Sequence, residues 1–222
     1  MISAIAGLLS SGTSHPYHHT TIPGGVPRPG REDILSIQQF LRSRPLIGMV
    51  HMPALPGAPN NDKTLTQLID FALSEVAILE RAGLDGCIVE NVGDAPFFRD
   101  HVPAVTTAAM AVLVHEVRKS TRMKVGINIL RNAGEEAISI AAVTGADFVR
   151  INVMIGAYVT DQGIIQGEAA RLVRLRKELG SDVGIMGDVH VKHAYPLFDV
   201  PIEDAAADLA ERGGADAVIV SG

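Results

Sequence analysis

The stretch GDVHVKHAYP, residues 187 to 196, places four titratable side chains within six consecutive positions. Successive side chains of an extended strand point to opposite faces, so Asp188, His190 and Lys192 would share one face. A histidine beside a carboxylate can act as a general base, and burial readily lowers the pKa of a lysine. We therefore predict that these three residues are catalytic. A strand face that is simply exposed to solvent is the alternative.

Polar residues also end the other apolar, β-branched runs of the chain. Apolar residues occupy the alternate positions of these runs, so we expect the polar side chains to point away from the helices and into a common interior. Buried charges must pair with one another, with a metal or with a polar ligand. An ion pair of Arg150 with Glu90 or Asp188 would account for part of the set without a ligand. The predicted ligand-binding residues are His51, Glu90, Asn91, Asn128, Arg131, Arg150 and Asn152.

Two long, glycine-containing loops are predicted beside these strand ends. MPALPGAPNNDKT follows the first strand, and MIGAYVTDQGIIQG follows the fourth. Loops of this kind are typical of lids that cover a small ligand. Thr160 and Asp161 of the second loop therefore join the predicted ligand-binding residues, with an ordinary surface loop as the alternative.

A metal site is another use of the same residue types. His51, Glu90, Asp188 and His190 could together ligate a cation, but the chain has no HExxH spacing, and Lys192 in the cluster would repel a metal ion. We therefore predict no metal ligands, and we assign no cofactor.

Composition excludes several classes of protein. The chain of 222 residues has a formal net charge of −6, only 4% aromatic residues and no tryptophan, which argues against a nucleic-acid-binding surface. It has no apolar run of transmembrane length. Its single cysteine, Cys87, excludes an intramolecular disulfide and is interpreted as a core residue. We expect a soluble, cytoplasmic protein with a small-molecule ligand, and a homo-oligomer is compatible with the sequence.

The chain alternates between two kinds of segment. Five amphipathic stretches are predicted as helices, and the spacing of strand starts gives a repeat of about 34 residues, near that of a (β/α)8 barrel. The predicted strands begin near Pro45, Gly86, Lys124, Phe148, Val183 and Ala217. The predicted helices are Thr64 to Arg81, Ala104 to Ser120, Ala133 to Thr144, Glu168 to Leu179, and Ile202 to Arg212.

An α/β fold of the (β/α)8 TIM-barrel type is favoured over a doubly wound sheet, because polar residues recur at the end of every strand and no GxGxxG sequence follows the first. The chain ends on VIVSG, at the sixth predicted strand. Eight strands would need about two more units, so we interpret the barrel as truncated after strand six. A complete, open six-unit sheet is the alternative.

Residues 1 to 43 differ in composition from the rest. Residues 1 to 31 contain no Asp or Glu and are rich in Ser, Thr, Gly and Pro. We predict that residues 1 to 43 are a largely disordered extension or leader and that residues 44 to 222 form the partial barrel. An organellar transit peptide is an alternative, although the segment shows no basic amphipathic helix.

Five motifs resemble the BtpA/SgcQ family in order, from about residue 44 to the end. They are PLIGMVHMPALPGAP, GLDGCIVENVGDAPF, VGINILRNAGEEAISIAAVTGADFVRINV, GAYVTDQGIIQGEA and DVHVKHAYPL. The resemblance implies a TIM-type barrel similar to the ribulose-phosphate-binding barrels, and a family named after a cyanobacterial factor for photosystem I accumulation. It supplies no catalytic residues.

These observations together predict a barrel of unassigned activity. The ligand would be a small polar molecule, such as a phosphorylated sugar or a nucleoside, and an enzyme would be a lyase, an isomerase or a hydrolase. Asp188 and His190 would form an acid/base pair, with Lys192 as an electrostatic or covalent partner. The alternative is a non-catalytic assembly or stability factor, as in photosystem I biogenesis.

Overall fold

Strands and helices alternate through most of the chain. The computed structural model describes residues 5–6 and 37–220. Its strands are β1 (Ile5–Ala6), β2 (Ile47–His51), β3 (Gly86–Glu90), β4 (Lys124–Asn128), β5 (Phe148–Ile151), β6 (Ala157–Thr160), β7 (Gly163–Gln166), β8 (Gly184–Val189), β9 (Ala194–Pro196) and β10 (Ala217–Val220). Its helices are α1 (Ile37–Arg42), α2 (Leu65–Arg81), α3 (Ala104–Ser120), α4 (Gly134–Thr144), α5 (Ala169–Glu178) and α6 (Ile202–Glu211), with a 3-10 turn at Val92–Asp94.

The main sheet has six parallel strands in chain order, β2-β3-β4-β5-β8-β10, and the short β1 pairs antiparallel with β10. A doubly wound sheet would reverse direction at a switch point, whereas strands that follow one another around a sheet are the arrangement of a (β/α)8 barrel. The fold is therefore α/β with a six-stranded sheet of the TIM-barrel type. The sequence prediction of six strands, in this class, is confirmed.

All five predicted helices are present, with ends that differ from the prediction by at most one residue. In α2, Leu68, Ala72 and Val76 recur every four residues and are buried. Thr64 begins the helix with a capping box, because its side chain accepts from the Gln67 N–H and the Gln67 side chain accepts from the Thr64 N–H. Periodicity and capping thus specify this helix locally.

A repeated aspartate ties each helix–strand turn to the neighbouring strand. The segments RAGLDG, VTGADF and RGGADA each place an aspartate just before a strand. Asp85 accepts a hydrogen bond from the Leu46 N–H at 2.8 Å, Asp147 from the Val125 N–H at 2.9 Å, and Asp216 from the Ile185 N–H at 2.8 Å. These bonds fix the register at the amino ends of the strands, which makes the motif structural.

The sheet packs on both faces. The outer face carries β-branched residues such as Val89, Ile127 and Val149, which pack against the helices in the main hydrophobic core. The inner face forms a second apolar cluster around Ile88, Phe148 and Met186, onto which Ile37 and Leu41 of α1 pack. Helix α1 lies within the predicted extension of residues 1 to 43.

A small antiparallel sheet, β7-β6-β9, stands beside the carboxyl ends of β5 and β8. The predicted long loop MIGAYVTDQGIIQG contains the β6–β7 hairpin, which the sequence analysis did not predict. Tyr158 and Ile165 from one face of the hairpin are buried with Val153 and Val191. These two valines were predicted to face the helices, but they lie beyond the ends of β5 and β8 and so pack under the small sheet instead.

The predicted leader lies mostly outside the described residues, and so does the candidate transit peptide. Within residues 37–220, no helix combines the length and the apolar character needed to cross a bilayer.

Candidate functional site

The inner face of the sheet changes from apolar to polar towards the carboxyl ends of the strands. Ile88, Phe148 and Met186 form its buried apolar layer. Two residues further along the same strands, on the same face, lie Glu90, Arg150 and Asp188. Asn128 lies beside Glu90 in the strand register and is also buried. The sequence prediction that these polar side chains share the inner face agrees with this placement.

Arg150 and Asp188 form a two-point ion pair at the centre of this layer. Arg150 Nε lies 2.9 Å from Asp188 Oδ1, and Arg150 Nη2 lies 2.8 Å from Oδ2. Asn152 Nδ2 donates to Asp188 Oδ2 at 3.0 Å, and Asn128 Nδ2 donates to Asn152 Oδ1 at 3.0 Å. Burial disfavours the charged guanidinium, but Asp188 and Glu90 outweigh burial and raise the pKa of Arg150. The network holds the guanidinium charged and fixed.

Glu90 contacts two partners without a close hydrogen bond to either. Its Oε1 is 3.9 Å from Arg150 Nη1, and its Oε2 is 3.4 Å from His51 Nε2. Burial raises the pKa of the Glu90 carboxyl, and the nearby Arg150 and His51 only partly offset this effect. The Glu90 side chain is 8% exposed and that of His51 is 54% exposed, so His51 connects a buried acid with solvent.

Arg131 is buried beyond the end of β4, with 7% of the residue exposed. Its Nη2 donates to the Lys192 carbonyl oxygen at 2.6 Å. Burial lowers the pKa of Arg131, while Asp188 and Asp161 raise it through their charges. Among the described residues, no carboxylate oxygen lies within 4 Å of its guanidinium nitrogens.

Asn91 and Asn132 instead support the backbone around the site. Asn91 Oδ1 accepts from the Leu130 N–H at 2.8 Å, and Asn91 Nδ2 donates to Asp94 Oδ2 at 2.9 Å. Asn132 bridges to Val153 through both its carbonyl and its amide groups. Asp94 also accepts a hydrogen bond from the Leu55 N–H. The sequence analysis did not predict this structural role of Asp94.

The prediction that Asp188, His190 and Lys192 alternate along one strand is wrong. Strand β8 ends at Val189, and His190 has a φ of 48°, in the left-handed region that few residues other than glycine adopt. His190 Nε2 is buried and has no hydrogen-bond partner among the described residues. The turn therefore sets the His190 position, and whether these three residues are catalytic stays a prediction.

Thr160 and Asp161 form the tip of the β6–β7 hairpin. Thr160 Oγ1 donates to the Gly163 carbonyl oxygen at 2.8 Å and so closes the turn. Thr160 pairs with Ala194, two residues after the Lys192 carbonyl that accepts from Arg131. The tip therefore lies on the Arg131 side of the polar layer, and Asp161 is one of the charges that act on Arg131. Beside it, Gln162 has a buried Oε1 without a partner in the described part of the chain.

Other sites are less suited to chemistry. Among residues 5–6 and 37–220, no group of three or more His, Cys, Asp or Glu residues is arranged to hold a metal ion. Cys87 is buried, and burial raises the pKa of its thiol to about 12. A cavity of 390 Å³ lies between the small sheet and α6, and its walls are largely apolar, with Tyr158, Leu197 and Phe198 among them.

Two solved structures share part of this fold. The structure of PhdJ bound to a substrate intermediate is 16% identical with a TM-score of 0.47, covering 78% of this chain and 50% of that one. Dihydrodipicolinate synthase from Oceanobacillus iheyensis is 20% identical with a TM-score of 0.41, covering 79% and 67%. At these values neither likeness bears on function.

Relatives with much higher sequence identity than these structures come from an archaeon, a bacterium and an animal. An uncharacterized protein of Methanocaldococcus jannaschii is 46% identical over 82% of this chain and 69% of its own. The photosystem I biogenesis protein BtpA of Synechocystis is 44% identical over 83% of this chain and 64% of its own. An uncharacterized mitochondrial protein of Caenorhabditis elegans is 35% identical over 81% and 68%. The chain thus spans about two thirds of these relatives.

A model of the BtpA family matches residues 42–222, which include every strand and helix from β2 onwards. The match covers more than half of the chain and all of the polar residues described above. The chain therefore belongs to the BtpA family.

Proposed function

We propose that the carboxyl-end face of β3, β4, β5 and β8 binds a small polar molecule and that the protein is an enzyme acting on it. The observation that carries this proposal is a buried polar layer whose hydrogen-bonding capacity is only partly used. Asn128 Oδ1 and His190 Nε2 are both buried without partners among the described residues. A buried polar atom left unsatisfied costs about 1–3 kcal/mol, and a bound ligand would supply the missing partners.

The geometry favours Glu90 and His51 as the residues that transfer protons. Both carboxylate oxygens of Asp188 accept hydrogen bonds from Arg150 or Asn152, so Asp188 acts by holding Arg150. Among the described residues, no side chain donates such a hydrogen bond to the Glu90 carboxylate, and its raised pKa suits a general acid. His51 can pass the proton to solvent. Arg150 would stabilise negative charge that develops on the substrate.

The chemistry of this layer suits a hydroxylated substrate such as a sugar phosphate or a nucleoside. Amide and imidazole groups recognise hydroxyl groups by hydrogen bonds, and a carboxyl group with a raised pKa beside a fixed guanidinium supports proton transfer at carbon or oxygen. The reaction classes that need this arrangement are isomerisation, elimination and hydrolysis. The roles of Asp188, His190 and Lys192 as an acid/base group with an electrostatic partner remain the alternative assignment at the same site.

A thermal-shift screen against sugars, sugar phosphates and nucleosides tests the proposal. We expect at least one compound to raise the melting temperature, and we expect His190→Ala to remove the effect. His193→Ala is a matched control, because His193 is also in the left-handed region, with a φ of 59°, but is exposed. A screen without any stabilising compound, or stabilisation that is unchanged in His190→Ala, would contradict the proposal.

An assembly factor is the second candidate function, and an exposed apolar row favours it. Ile164, Val159 and Tyr195 are in register across the small sheet, with 46%, 43% and 76% of each residue exposed. The Synechocystis relative is named for photosystem I biogenesis. The test uses cells whose phenotype depends on this protein. If the protein is an assembly factor, Val159→Lys and Tyr195→Lys should abolish the phenotype. If it is an enzyme, His190→Ala and Lys192→Ala should abolish it.

A further inference from the structure

Arg131 is a buried cation without a nearby counter-ion in the described part of the chain. Only 7% of the residue is exposed, yet no described carboxylate oxygen lies within 4 Å of its guanidinium. Arg150, buried in the same layer, has Asp188 at 2.8 Å. A buried charge is costly unless it is paired, so the difference between these two arginines requires an explanation.

Most of the N–H donors of Arg131 have no acceptor among the described residues. A guanidinium has five N–H donors in a planar fork that matches a carboxylate or a phosphate. One of them reaches the Lys192 carbonyl oxygen at 2.6 Å. Asp188 and Asp161 act on Arg131 through their charges, without being within ion-pair distance.

Two buried acceptors, one at the end of the strand before Arg131 and one at the hairpin tip, indicate what else a ligand must offer. Asn128 Oδ1 and Gln162 Oε1 are buried acceptors without partners among the described residues. Asn128 ends β4, a few residues before Arg131, and Gln162 follows Asp161 at the hairpin tip. An anion alone would satisfy Arg131 but not these two oxygens, which need donors.

We propose that Arg131 binds the anionic group, a phosphate or a carboxylate, of a ligand that also carries hydroxyl groups for Asn128 and Gln162. This inference rests on the proposed function and narrows its substrate class to hydroxylated organic anions. The anion is held at the end of the third parallel strand, on the side of the site that the hairpin tip faces. Arg150 then remains available for the reacting part of the molecule.

Inorganic phosphate is the first probe. Sodium phosphate should raise the melting temperature of the wild-type chain saturably, by about 3 °C or more at saturation, relative to sodium chloride at equal ionic strength. Arg131→Met should remove the rise and Arg131→Lys should weaken it at least tenfold in apparent affinity. Arg174→Met is the control, because Arg174 is exposed on α5 and donates to the Ala170 carbonyl oxygen of its own helix.

The melting temperature without phosphate separates binding from a structural role. If the role of Arg131 is to bind a ligand, Arg131→Met should not lower the melting temperature of the ligand-free protein. The substitution removes an uncompensated buried charge and keeps an apolar side chain of similar length. Two results together would overturn the proposal. They are a marked drop in the melting temperature of Arg131→Met without phosphate, and a phosphate effect of full strength in Arg131→Lys. A phosphate effect that is absent from the wild type or retained in Arg131→Met would also overturn it.

Paired organic probes distinguish this inference from the proposed function. Ribose 5-phosphate should raise the melting temperature of the wild-type chain with an apparent affinity at least tenfold higher than that of ribose. Glycerate tests whether a carboxylate can replace the phosphate. Equal effects of ribose and ribose 5-phosphate would overturn the anion inference and leave the proposed function standing. No effect of either sugar, of glycerate or of the wider screen would count against both.

Discussion

Asp188 lies at the centre of the polar layer, in a two-point ion pair with Arg150. Its two oxygens accept from Arg150 and Asn152 and lie on a side chain with no exposed surface. Residue type and strand parity were sufficient to place Asp188 on the inner face. They could not decide its role, because that depends on which partner lies opposite on the neighbouring strand.

Removing the carboxylate of Asp188 should strongly destabilise the protein. Asp188→Ala leaves Arg150 as a buried charge whose nearest described carboxylate is that of Glu90 at 3.9 Å. Removing one partner of a buried, hydrogen-bonded ion pair costs about 3–5 kcal/mol of unfolding free energy. Urea denaturation measures the loss. The exposed pair of Arg212 and Asp208, 3.7 Å apart, is the control, and Asp208→Ala should cost less than about 1 kcal/mol. Similar losses in both variants would contradict the role given to Asp188.

Glu90 should make the protein less stable as the pH rises. Its pKa in the folded protein is raised above the ordinary value of 4.5, so the folded state keeps a proton that the unfolded chain has released. From about pH 4.5 up to the raised pKa, the unfolding free energy should fall, by at most about 1.4 kcal/mol per pH unit. Glu90→Gln should remove this slope in urea titrations, whereas Glu211→Gln, at an exposed position, should keep it. An unchanged slope in Glu90→Gln would show that Glu90 is ionised throughout.

His190 marks the limit of prediction at this scale. Alternation along DVHVK predicts its direction only if the strand continues, and β8 stops one residue earlier. The sequence does not predict the left-handed turn at His190, because histidine is enriched at positive φ but most histidines adopt other conformations. Its buried, unpartnered Nε2 could be found only with the structure.

At the scale of elements, the prediction succeeded where the signal is local and repeated. Helix α2 carries its periodicity and its capping box, and the Gly145 that ends α4 has a φ of 76°, as expected for a C-cap. The small sheet was missed because β6, β7 and β9 have three or four residues each. Alternation over only four residues is also found in loops, so it does not predict a strand. In addition, β6 pairs with the distant β9, and this pairing leaves no local pattern in the sequence.

Gly126 of β4 makes room inside the barrel for an aromatic ring. A Cβ at this position would come within 2.1 Å of the Phe148 ring on the next strand. Gly126→Val should therefore cost about 1–3 kcal/mol or more through overpacking, as measured by urea denaturation. Phe148→Leu in the same chain should recover part of the loss. No recovery in the double variant would mean that the cost arises from the backbone and not from the ring.

At the scale of the whole molecule, the sequential order of the strands has one main consequence. It brings the carboxyl ends of β2, β3, β4, β5 and β8 to one edge, where residues far apart in sequence, such as His51 and Asp188, share one polar layer. The repeat of about 34 residues predicted this class of fold. It could not predict that the hairpin tip would face the same edge.

Chemical-shift mapping of ligand contacts on the isotopically labelled chain tests the central claim most directly. The ligand is the compound that stabilises the protein most in the metabolite screen, added stepwise while backbone amide resonances are followed by two-dimensional NMR. A site in the polar layer predicts that the largest shifts fall in residues 128–132 and 188–192. Shifts concentrated at Phe198, Val200 and Ala205, which line the apolar cavity, with residues 128–132 unchanged, would contradict it.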